Sequence, residues 1–138
     1  MNIDATDLIL GRLASFVAKK ALLGEKINII NCENAVITGR REDIIERYQA
    51  RVKRGTPFKG PYFPRWPDRL LKRTIRNMLS YKQERGRKAL KGIMCYLGVP
   101  ESLKNQDILT FKEFNINKSK TPKFIYLRDI AKSFGKNV

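Results

Sequence analysis

The stretch "NIDATDLILGRLASFVAKKALLGEKINII", residues 2–30, decides the fold. Its ends, "NIDA" at 2–5 and "INII" at 27–30, read as short strands, the second apolar and β-branched throughout most of its length. Between them Leu10, Leu13, Ala14, Val17 and Ala21 recur at helical spacing, which predicts a helix over about 10–23 stopped by Gly24. A turn at Thr6-Asp7 joins the first strand to this helix. Strand, helix and strand at this spacing form a parallel βαβ unit, because parallel neighbours need a long crossover and a helix supplies it. The chain is therefore read as α/β.

Working outward, "AVIT" at 35–38 is another strand-like run, separated from "INII" by polar "NCEN" at 31–34. Two strands, or one strand interrupted by a bulge, both remain open. "TGRRED" at 38–43 turns into a second helix over about 41–53, with Ile44, Ile45, Tyr48 and Val52 as its apolar stripe. A third helix is predicted from Pro67, a favoured first helical residue, to about Tyr81. Its Leu70, Leu71, Thr74, Ile75 and Met78 share one side, and Arg69, Lys72, Arg73 and Arg76 centre roughly 180° away. Near the end, "IMCYLG" at 93–98 reads as a strand, and "KFIYLRDIAKSFG" at 123–135 as a strand running into a helix stopped by Gly135. With no internal repeat or linker, one domain over 1–138 is expected.

Charge is distributed unevenly along this scaffold. The chain of 138 residues carries 29 Lys and Arg against 13 Asp and Glu, a net +16. Residues 1–38 are neutral, residues 39–91 hold seventeen basic and five acidic side chains, and residues 92–138 hold eight and four. Such an excess repels itself unless an anionic partner neutralises it, with nucleic acid the commonest candidate and an anionic membrane surface the next. Apolar runs such as "LASFVA" at 13–18 are far too short to span a bilayer, and no membrane partner is expected. The opening "MNIDATDLIL" lacks the basic start of a signal peptide, which predicts a cytoplasmic protein.

The residue inventory excludes much chemistry. There is no histidine, so Ser–His–Asp and Cys–His arrangements are impossible. Cys32 and Cys95 have no CxxC spacing and no histidine to join, so no metal is expected and both read as reduced core thiols. Gly11 opens a helix without the GxGxxG pattern, and no GxxxxGK[ST] loop exists, so no cofactor is expected. Gly39 also marks a strand-to-helix turn, where helix amides can receive a phosphate or where a tight turn simply needs glycine.

What remains is a surface for polyanions. Arg40, Arg47, Arg51 and Arg54 fall within roughly 60° of one another on the second helix, although Glu42, Asp43 and Glu46 are near enough in sequence to pair with them. The segment "PFKGPYFPRWPDRLLKR" at 57–73 holds four of the six prolines, with Phe58, Tyr62, Phe63 and Trp66 threaded between them. Proline fixes φ and removes a donor, so this is a stiff loop rather than a helix or an inner strand. Tyr62, Phe63 and Trp66 beside Lys59 and Arg65 suit stacking on unpaired bases and neutralising phosphates. The bland alternative folds these rings inward as a satellite core. Lys82, Arg85, Arg87 and Lys88 extend the basic face beyond the third helix.

Several segments together resemble a known family. "IDATDLILGRLASFVAKKALLGEKINIINCENAVITG" at 3–39, "FKGPYFPRWPDRLLKRTIRNMLSYKQERGRKALKGIMCYLGVP" at 58–100 and "YLRDIAKSFG" at 126–135 resemble the universal large-subunit ribosomal protein thirteen family. The "GPYFPRWP" and "GRKALK…YLGVP" segments are similar to its archaeal and eukaryotic members rather than its bacterial ones. The resemblance implies a three-layer α/β/α domain with a small, mainly parallel, four-stranded sheet. It also implies a structural constituent of the large ribosomal subunit that binds its RNA and supports assembly, without activity, cofactor or metal. Neighbouring subunit proteins are the implied protein partners, and no obligate homo-oligomer is expected. Carried over by residue, the family's RNA-facing segment falls on Arg65, Arg69, Arg73, Arg76, Arg85, Arg87 and Lys88. Two other classes stay open on the residues alone. One is an RNA- or nucleotide-acting enzyme, for which Asp4, Asp7 and Glu33 are the candidate carboxylates, and the other is a free mRNA-binding regulator.

Overall fold

The opening stretch folds as its pattern requires. In the computed structural model, which describes residues 1–138, β1 spans Asn2–Asp4, α1 spans Leu10–Leu22 and β2 spans Ile27–Ile30. β1 and β2 pair in parallel with Ile3 beside Ile29. Ile3, Ile27 and Ile29 point to the same side and are fully buried with Leu13, Ala14 and Val17 of α1. Gly24, at φ 95°, ends α1: its N–H donates to the Ala21 carbonyl while Glu25 N–H reaches Lys20 O.

After β2 the chain leaves the sheet. Asn31 takes a left-handed conformation and a 3-10 turn follows over Cys32–Asn34. The next strand, β3 (Val36–Thr38), joins a separate two-stranded antiparallel sheet with β6 (Phe124–Tyr126). "INII" and "AVIT" are thus two strands in two sheets, not one bulged strand. Glu33 holds this exit in place by accepting the Gly98 N–H on both carboxylate oxygens, at 3.1 and 3.2 Å.

α2 runs over Arg41–Lys53 and α3 over Pro67–Asn77, four residues shorter than expected. α3 ends early because Met78 and Leu79 N–H groups bond back only three residues, tightening the last turn and burying Leu79. A helix the sequence did not announce follows, α4 (Glu84–Lys91), before β4 (Ile93–Cys95). Gly86 and five charged residues within eight positions obscured its apolar face, of which only Ala89 is buried besides the glycine. Gly86 is required there: a Cβ would sit 2.1 Å from the Ser80 carbonyl oxygen. β5 (Ile108–Leu109), two exposed residues, was equally silent, and α5 (Leu127–Ser133) completes the chain.

The main sheet has the order β4-β2-β1-β5, all parallel. It is an α/β architecture with a four-stranded parallel sheet. Leu70, Leu71 and Ile75 of α3, Ala89 of α4 and Leu127 and Ile130 of α5 join the cluster over the isoleucine face. On the opposite side Asn28 Nδ2 donates to Asn2 Oδ1 at 2.9 Å, and Asn2 Nδ2 to Gln106 Oε1 at 2.8 Å. The segment after the 3-10 turn Glu101–Leu103 lies over this side. No helix is long and apolar enough to cross a membrane.

Candidate nucleic-acid interface

α3 is anchored by its inner face, which fixes where its outer face points. Leu70, Leu71 and Ile75 are buried, so Arg69, Lys72, Arg73 and Arg76 are carried to the other side on a rigid support. These four line a cleft of about 340 Å³ whose remaining wall is Tyr62, Pro64 and Leu90. No acidic residue lines it. None of the four makes an ion pair; those in the chain are Lys20–Glu25, Arg41–Asp129 and Lys88–Glu84. Arg76 also keeps its Nε buried without an acceptor while its guanidinium lies 4.9 Å from the Tyr81 ring.

The loop before α3 divides its four rings. Phe63 packs inward, edge-on to Tyr48 of α2 at 6.1 Å, and Arg73 covers it with the guanidinium 4.7 Å from the ring centre. Trp66 is half-buried near Lys136, whose Nζ lies 5.6 Å from the ring, and it does not line the α3 cleft. Tyr62 and Phe58 point outward, 73% and 92% exposed. Stacking and inward packing were alternatives for the loop as a whole; the structure divides the rings between inward and outward positions. Tyr62 is the wall shared with a second cleft of about 300 Å³, where Arg54 and Arg65 meet Lys53, a cation the sequence did not single out.

Other candidates sit elsewhere. Arg85 and Lys88 belong to a separate groove of about 420 Å³ with Lys91 and with Lys26, which arrives from the neutral opening third. Only the fold brings Lys26 there; no sequence pattern marks it. Arg40 lines a pocket of about 470 Å³ with Arg41 and Lys123 at the start of α2. Arg47 and Arg51 are exposed along α2, Arg51 lying 5.4 Å from the Tyr48 ring, and Glu42, Asp43 and Glu46 form no ion pair with any of them. Lys59, Lys82 and Arg87 are exposed, with Arg87 Nη2 donating to the Lys82 carbonyl at 3.3 Å. Ten of the sixteen candidates therefore divide among four clefts, and Arg47, Arg51, Lys59, Trp66, Lys82 and Arg87 lie outside them.

The carboxylates that an enzyme would need are occupied separately. Asp4 accepts from Thr6 N and Oγ1 and from Asn31, and Asp7 accepts the Tyr126 hydroxyl at 2.9 Å. That hydroxyl bond is the main reason the Tyr126 pKa is raised. Tyr48 is raised chiefly by burial, with Arg51 and Arg47 opposing. Cys32, buried against Cys95, has its thiol pushed strongly up, first by its contact with that second thiol and then by burial. No three His, Cys, Asp or Glu side chains converge as metal ligands.

The fold and surface thus define an α/β domain that presents unpaired arginines and lysines on a rigid helix face. Residues 1–102 match the family described as Ribosomal protein L13. The chain is 44% identical over 134 residues to the large ribosomal subunit protein uL13 of Archaeoglobus fulgidus, covering 96% of this chain and 86% of that one. It is 46% identical to the protein of that name from Methanosarcina barkeri, covering 96% of both chains, and 47% identical to that of Picrophilus torridus, covering 96% and 95%. The chain belongs to the ribosomal protein L13 family, in its archaeal form. Its role is structural and ribosomal, not enzymatic.

Proposed function

We propose that this chain is a constituent of the large ribosomal subunit that binds large-subunit ribosomal RNA and supports subunit assembly. The α3 face and the Pro/aromatic loop form the primary contact, with neighbouring subunit proteins as further partners. The whole of 1–138 acts as one RNA-binding unit, in the cytoplasm with the subunit. No cofactor, metal or membrane takes part, and the protein does not need a second copy of itself.

The observation that carries this reading is the acid-free cleft. Arg69, Lys72, Arg73 and Arg76 converge with Tyr62 and pair with no carboxylate. Four adjacent like charges destabilise an isolated helix face, so they serve something outside the fold. Phosphates satisfy them: guanidinium forks onto phosphate oxygens and each neutralised phosphate releases counterions.

The test replaces Arg69, Arg73 and Arg76 together with Glu and measures binding to a transcript of large-subunit ribosomal RNA. Binding is expected to be abolished while the helical circular-dichroism signal and melting stay close to those of the parent protein. Undiminished binding would remove this face from the interface. Sedimentation of the native protein with the large subunit through a high-salt wash would separate an integral component from a regulator bound elsewhere.

A further inference from the structure

Phe58 stands out because the fold gives it nothing to do. At 92% exposure it is the most exposed of the chain's large apolar side chains, and it sits on a loop built to hold it there. Thr56 and Gly60 exchange both backbone hydrogen bonds, at 3.2 and 2.9 Å, closing a turn whose tip is Pro57, Phe58 and Lys59. Lys59 N–H bonds Thr56 Oγ1 at 3.2 Å, and the Tyr62 hydroxyl reaches the carbonyls of Pro57 and Phe58, each at 3.1 Å. The arms approach so closely at Gly55 that a Cβ there would lie 2.0 Å from Gly60 O. The backbone beneath the ring is therefore pre-organised, and little backbone entropy is lost when something covers it.

The surroundings identify the chemistry of that partner. Between Glu46 and Asp68 the chain has no acidic residue, and Arg47, Arg51, Lys53, Arg54, Lys59 and Arg65 all fall in this interval. A partner must offer a flat or apolar surface and carry dense negative charge beside it. An unpaired nucleobase on its phosphate backbone does both.

We propose that Phe58 is a base-stacking residue, the loop tip presenting its ring to an unpaired base of the RNA while the flanking cations hold the adjacent phosphates. This rests on the RNA-binding function proposed above and adds to it a ring outside the α3 cleft.

The experiment uses the full chain and the large-subunit ribosomal RNA transcript, comparing the parent with Phe58→Ala, Phe58→Leu and Phe58→Trp at several salt concentrations. Ala and Leu should each weaken binding roughly 5–150-fold, the range for losing one stacked ring. The salt dependence should stay unchanged, since no charge is removed. Trp should bind like the parent, and in a Trp66→Phe background its fluorescence should be quenched by the RNA. Parent-like binding by the Leu or the Ala variant would mean that the ring does not stack on this RNA and would overturn the proposal. Failure of the parent itself to bind would overturn the RNA-binding reading, and this inference with it.

Discussion

Residues 1–38 and residues 39–91 spend their polar groups differently. In the opening region, which is neutral overall, Asp4, Asp7 and Glu33 each hold a turn or strand exit, and Asn2 and Asn28 bond to each other. In the middle region seventeen cations share two ion pairs, Arg41–Asp129 and Lys88–Glu84. Polar groups that serve the fold find partners inside it. In the middle region most cations are left unpaired on a rigid support, where the RNA contact is proposed.

The sharpest way to break that comparison lies within α3, where both behaviours meet in one helix. Ile75→Ala, on the fully buried side, should cost about 2–5 kcal/mol of stability, as Leu13→Ala should in α1. Arg69→Ala, exposed on the same helix, should stay within about 0.5 kcal/mol in denaturant titrations. Comparable losses at Ile75 and Arg69 would mean that the cationic face also supports the fold.

A second prediction concerns the joint between α3 and α4. Gly86→Ala places a Cβ against the Ser80 carbonyl and 2.9 Å from the Tyr81 nitrogen, both backbone atoms that yield only if the turn shifts. Overpacking of this kind costs roughly 1–3 kcal/mol, more than alanine's better helix propensity returns. The melting temperature should fall, and exchange of the 78–83 amides should rise with it.

These two sites also show what was legible in the sequence. The βαβ unit could be read because Leu10, Leu13, Ala14, Val17 and Ala21 share one period and Gly24 stops it. The α3 face could be read for the same reason, its two sides being chemically opposite. α4 could not, because its packing depends on an absent side chain at Gly86 and a single buried alanine. Nor could the separation of the basic residues into patches. Charge counts cations without saying that Lys26 and Lys91 share a groove, or that Trp66 turns toward Lys136 while Tyr62 lines the cleft.

The opening region should reveal itself again at alkaline pH. The folded Cys32 thiol is held protonated well above its ordinary 9.0 by Cys95 and by burial, whereas the unfolded thiol ionises near that value. Above pH 9 the unfolded state therefore binds fewer protons than the folded one, and stability falls as pH rises. The slope for this group approaches about 1.4 kcal/mol per pH unit, and the contribution is fully present below pH 9. Tyr48 and Tyr126, also raised, add in the same direction from about pH 10 upward. Cys32→Ala should be less stable at pH 7 yet show a flatter decline between pH 9 and 10 in urea titrations.

The smallest expected effect tests how the charged region holds its own elements together. Arg73 lies over Phe63, and Phe63 packs on Tyr48, so one cation bridges the loop to both α2 and α3 without an acidic partner. Arg73→Lys keeps the charge but loses the planar face that stacks on the ring. Phe63→Leu keeps apolar volume but loses the ring's electrostatics. A double-mutant cycle between them should give a coupling of about 0.5–1 kcal/mol in stability, the size of a partly exposed cation–π contact. A coupling near zero would mean that Arg73 only rests against the loop and is free to swing toward an incoming phosphate. A measurable coupling means instead that the guanidinium is held in place before RNA arrives, its aromatic support making up for the carboxylate it lacks.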